Sequence, residues 1–106
     1  MGNRLPARRR APEPAPSKKA DRLLATVVNA WTRAFDLSDA EALVLHDIAR
    51  RPRIERAQLA RVQGISEQTI KSHVRALLRR TGAPSTAHLV YCIQREALLL
   101  AIGEWP

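Results

Sequence analysis

Gly64-Ile65-Ser66-Glu67-Gln68-Thr69-Ile70-Lys71-Ser72-His73-Val74-Arg75-Ala76-Leu77-Leu78-Arg79-Arg80 is the stretch on which the reading of this chain turns. Ser66 follows a Gly-Ile turn and stands directly before a helical pattern, where its hydroxyl can accept a bond from a first-turn amide that has no helical partner. From there Ile70, Val74, Leu77, Leu78 and Thr81 recur at the spacing of one buried helix face. Gln68, Lys71, Ser72, Arg75 and Arg79 fall on the other side. These exposed types are long donors, an amide and a small hydroxyl, the groups that reach base edges and phosphate oxygens in a major groove. A solvated basic helix face is the plainer reading of such a run. The preceding segment weighs against it, because Ala57 to Val62 reads as a short helix that delivers this one through the Gly64 turn.

The chain has 106 residues, enough for one small domain and a tail. Eighteen Lys and Arg against ten Asp and Glu give a net charge of +8 and a pI near 11.2. That balance favours a polyanionic partner, nucleic acid before an anionic membrane surface. No apolar run approaches the roughly eighteen residues of a membrane span, and no signal peptide pattern opens the chain, so a cytoplasmic, nucleoid-associated protein is expected. The single cysteine, Cys92, excludes an internal disulfide and a cysteine-based zinc finger; with His88 it supplies two ligands, which do not close a metal site. No Gly-rich phosphate loop, Ser/His/Asp arrangement or carboxylate pair stands out. The expectation is a protein that is not an enzyme and holds neither metal nor cofactor.

Residues 1–20 carry Arg4, Arg8, Arg9, Arg10, Lys18 and Lys19 against Glu13 alone, with four prolines interleaved. With little to bury, this stretch is expected to be a disordered basic arm, serving either as a sequence-blind phosphate or minor-groove contact or as a passive solubilising tail. Residues 21–36 form an amphipathic helix pattern, with Leu23, Leu24, Val27, Val28, Trp31, Ala34 and Phe35 on one stripe. Ser38 three residues ahead of Glu41 is a capping-box spacing that opens the next helix, and Arg51-Pro52 ends it. Arg50, Arg51, Arg53 and Arg56 crowd the corner that follows, either complementing a helix C-terminus or clamping phosphate. Gly82 and Pro84 close the long basic helix, and Ser85 caps a last helix to about Ile102. That helix carries Leu89, Val90, Ile93, Ala97 and Leu100 on one stripe, with Tyr91, Leu98, Leu99 and Ile102 beyond it. More of its circumference is apolar than one side of a small domain covers. Either a second copy packs on it or the helix of residues 21–36 does.

The run Ile65-Ser66-Glu67-Gln68-Thr69-Ile70-Lys71-Ser72-His73, with Leu37-Ser38-x-x-Glu41, Leu59-Ala60 and Leu78-Arg79-Arg80, resembles the LuxR-type (GerE) helix-turn-helix domain of bacterial transcription regulators over residues 37–95. The resemblance implies an all-α fold: a small helical bundle over residues 37–102 containing the helix-turn-helix, with an extra N-terminal helix and the basic arm ahead of it. It implies that the third helix of the bundle enters the major groove of double-stranded DNA and that the fourth mediates a homodimer. Lys71, Ser72 and Arg75 then face base edges, joined by Gln68, whose amide suits adenine. Ser66, Thr69 and Arg79 lie near phosphates, joined by Arg53 and Arg56 from the basic corner. His73 supports the helix. The sequence departs from the family in Arg51-Pro52-Arg53, where a glycine connection about two residues shorter is usual, and in Asp47 and Gln63, which stand where apolar residues are common. The arm and one helix are expected to take the place of the family's usual sensor domain. The expected function is a stand-alone, sequence-specific DNA-binding transcription regulator. Two rivals are a domain like sigma factor region 4 acting on RNA polymerase, and a protein-interaction module bound by a regulatory protein.

Overall fold

A computed structural model describes residues 17–105, in which five helices are joined by short turns and no strand occurs. They are α1 (Lys18–Phe35), α2 (Asp39–Arg50), α3 (Arg56–Gln63), α4 (Glu67–Thr81) and α5 (Thr86–Ala101). The protein is all-α. Most of the expected arm, residues 1–16, lies outside the described residues. Its last part is corrected: the helix starts at Lys18, not Asp21, because Ser17 caps it by accepting from the Ala20 amide at 3.0 Å.

Serines also cap the starts of α2, α4 and α5. The Ser38 hydroxyl accepts from the Glu41 amide at 3.1 Å and the Glu41 carboxylate from the Ser38 amide at 3.0 Å, completing the capping box that the spacing implied. Ser66 and Ser85 cap α4 and α5 through the amides of Thr69 and His88. Gly64 and Gly82 end α3 and α4 in the left-handed region, at φ 69° and 76°, where a side chain is strained. Asp36 ends α1 in the same region, a position that a short polar side chain tolerates.

The core explains the order of packing. Leu24, Val27 and Val28 of α1 meet Leu89, Val90, Ile93 and Ala97 of α5 and Val44, Leu45 and Ile48 of α2 in one buried cluster. Ile70, Val74 and Leu77 bring the inner face of α4 into it, and Leu59 and Ala60 attach α3 to α4. Here the expected partner surface needs correction. Leu89, Val90, Ile93 and Ala97 are almost completely buried within the chain itself, and Leu100 is partly buried against the same cluster. The reason is α1, whose long apolar stripe covers α5 more extensively than it covers any other helix. The large apolar side chains left exposed here are Tyr91 and Leu98 of α5 and Ile102 at its C-cap.

Polar bonds fix the helices at their ends. Arg50 Nε donates to Asp21 Oδ1 at 2.7 Å, tying α2 to α1. The indole N–H groups of Trp31 and Trp105 both donate to Glu96 Oε1, at 2.8 and 3.1 Å, so one carboxylate of α5 holds the end of α1 and the C-terminal residues. Gln94 Nε2 donates to the Ala49 carbonyl at 3.0 Å, serving an acceptor in the last turn of α2. Asp47 and Gln63, both at positions expected to be apolar, satisfy each other: Gln63 Nε2 donates to Asp47 Oδ2 at 2.7 Å.

Candidate nucleic-acid interface

α4 is set so that its two faces have separate work. Its inner face is anchored by Ile70, Val74 and Leu77. At 3.6 residues per turn, Gln68, Lys71, Ser72, Arg75 and Arg79 fall within an arc of about 100° on the far side. All five are exposed. The face is therefore open to solvent along its length, with a polar or cationic side chain at each turn.

Its charge is uncompensated. Among the described residues the ion pairs are Arg50–Asp21 and Arg80–Glu41, and neither uses a residue of this face. Arg80 lies off the arc, and its Nε donates to Glu41 Oε1 at 3.1 Å. Burial pushes the Glu41 carboxyl up. The Ser38 amide and the Arg80 guanidinium outweigh that and hold it below the ordinary carboxylate value. The two adjacent arginines thus divide: Arg79 is free on the open face, while Arg80 docks α4 onto the start of α2.

Ser66 and Thr69 stand at the N-terminus of α4 as expected, but their hydroxyls are engaged with each other at 2.9 Å, and Ser66 also accepts from the Thr69 amide at 3.0 Å. Two hydroxyls carry two hydrogens, and one of them is used between the pair. One O–H remains to donate outward beside the positive end of the helix.

The arginine corner does not form a single clamp. Arg50 is half-buried on Asp21. Arg56 faces a groove of about 420 Å³ between α3 and α5, lined by Ile54, Leu59, Val74, Val90 and Tyr91 among others. Arg53 lies in a different cleft with Arg51 and Arg61. Of the two arginines assigned to phosphate contacts here, Arg53 and Arg56, both are exposed but they open onto different depressions. Arg61 entered no sequence reading, since a lone arginine on a short helix carries no pattern. His73 is half-buried, between the two faces of α4. Cys92 is a free, half-buried thiol, and His88 is exposed. Among the described residues no helix is long and apolar enough to cross a membrane. No family model, no curated protein and no solved structure matches this chain.

Proposed function

We propose that the chain is a sequence-specific DNA-binding transcription regulator that lays α4 in the major groove. One observation carries the reading: an exposed arc of Gln68, Lys71, Ser72, Arg75 and Arg79, without an acidic partner among the described residues, on a helix whose opposite side is held in the core. A helix about 10 Å across fits a groove of roughly 12 Å. Arg75 and Lys71 donate to guanine O6 and N7, Gln68 pairs with adenine, and Ser72 makes a short contact where the helix lies closest. Arg79, Arg56 and the spare hydroxyl hydrogen of Ser66 and Thr69 hold phosphates and fix the register. With its net charge of +8 the protein would sit on the nucleoid, drawn by counterion release before any base is read.

A homodimer suits a reader of two half-sites, and Tyr91, Leu98 and Ile102 are the apolar side chains that α5 presents for it. The same three residues favour the second reading, an interaction module for another protein, because they lie on α5 and its C-cap and not on α4. Selection of bound duplexes from a random pool by the whole chain tests the first reading. Enrichment of a defined sequence that Arg75→Ala no longer prefers supports it. Retention of all sequences alike, or of none at low salt, overturns it.

A further inference from the structure

The arginine cleft at the α2–α3 corner includes Arg53, expected from the sequence to lie near a DNA phosphate, and shares no residue with the base-reading arc of α4. Pro52 is the second residue of a turn closed by the Ile54 amide, which donates to the Arg51 carbonyl at 3.0 Å. The ring fixes one backbone angle of that turn, and the Arg51 amide is bonded in turn to the Asp47 carbonyl at 3.0 Å. Arg51 and Arg53 are therefore held on either side of a rigid corner. Arg61 reaches the same space from α3, and with Ile54, Gln58 and Val62 the three arginines line a cleft of about 340 Å³.

Its chemistry is one-sided. Among the described residues no carboxylate lines it, and Glu55, the nearest acid in sequence, is not one of the lining residues. The Gln58 carboxamide oxygen accepts from the Glu55 amide at 3.1 Å, which fixes that side chain and leaves its N–H donors available. No residue of α4 contributes. Three arginines lining one small space carry like charges that an anion of comparable charge offsets, and guanidinium matches phosphoryl oxygens in pairs. One phosphodiester of a duplex brings a single negative charge to such a space. Two linked phosphoryl groups bring about three and fit a cleft at the lower end of small-ligand sites.

We propose that the Arg51, Arg53 and Arg61 cleft binds an oligophosphate group carried by a small ligand, such as a nucleoside diphosphate. This site does not depend on α4 reading DNA. Isothermal titration calorimetry of the whole chain, without DNA and at about 0.15 M salt, tests it with inorganic pyrophosphate, ADP, orthophosphate and adenosine. Pyrophosphate and ADP are expected to saturate at one per chain, orthophosphate to bind about tenfold more weakly or worse, and adenosine to give no heat. Arg53→Ala and Arg61→Ala, both at exposed positions, should each weaken pyrophosphate about tenfold, while Arg33→Ala, exposed on α1 and outside the cleft, leaves it unchanged. Absence of saturable pyrophosphate binding overturns the proposal, as does an equal loss in Arg33→Ala, which would mean attraction by net charge alone. A random duplex that displaces pyrophosphate and loses affinity in Arg61→Ala would assign the cleft to the DNA backbone instead. Failure of Arg75→Ala to alter sequence preference bears only on α4.

Discussion

Glu41 Oε1 accepts from Arg80 Nε at 3.1 Å while the same carboxylate closes the cap on Ser38, so one buried side chain starts α2 and docks the C-terminal part of α4. The exposed face of α4 is aimed by this contact together with the apolar anchors beneath it. A group with a lowered folded-state pKa stabilises the protein fully above its unfolded value and loses that contribution as pH falls through the folded one. Glu41 is such a group. Thermal stability should be nearly level above the ordinary carboxylate range and fall below it. Glu41→Gln should lose about 1–2 kcal/mol near neutral pH and show a shallower decline in acid, read by melting curves between pH 7 and 3. An acid decline unchanged by Glu41→Gln would assign it to other carboxylates.

On the open face, single substitutions should separate base reading from phosphate holding. Arg75→Ala or Lys71→Ala is expected to cost about 1–3 kcal/mol on a selected site and little on random duplex. Arg79→Ala should weaken both alike and reduce the salt slope by about one. Competition binding at several salt concentrations distinguishes the two patterns.

The two apolar sides of α5 make opposite predictions. Ile93 is fully buried, so Ile93→Ala should destabilise the monomer by about 2–4 kcal/mol. Leu98 and Ile102 are each 63% exposed. Leu98→Glu with Ile102→Lys should leave the melting temperature of the isolated chain nearly unchanged while abolishing self-association in analytical ultracentrifugation. A dimer that survives this pair of changes does not use the exposed side of α5.

Asp47 and Gln63 illustrate a bond whose single deletions mislead. Replacing either one by leucine leaves a half-buried polar group without its partner, at about 1–2 kcal/mol. Replacing both should cost less than the sum, with a coupling energy of about 1 kcal/mol in a double-mutant cycle by urea unfolding. Strict additivity would mean that the 2.7 Å contact is absent in solution.

Much was readable before the fold. Helix periodicity, the serine caps at Ser38, Ser66 and Ser85, and the glycine ends at Gly64 and Gly82 are local: each follows from bonds within about four residues, and each stands where the spacing placed it. The exposure of Gln68, Lys71, Ser72, Arg75 and Arg79 was legible for the same reason, since an apolar stripe opposite them had to be buried. The pairing of Asp47 with Gln63 was not, because the two lie sixteen residues apart and nothing local links them.

The amino-acid order alone thus determined that the chain is helical, where most of its helices begin and end, and which side of α4 faces outward. Tertiary structure decided which side of α5 is inside, how the basic corner is divided, and what Glu41 and Glu96 hold together. An amphipathic stripe announces that it will be covered but carries no label for its cover; α1 filled that place, and the expected partner residues became core. Arginines close in sequence likewise share a function only if the backbone leaves them in one space, and here Asp21 takes Arg50 while the Pro52 turn sends Arg51 and Arg53 to meet Arg61.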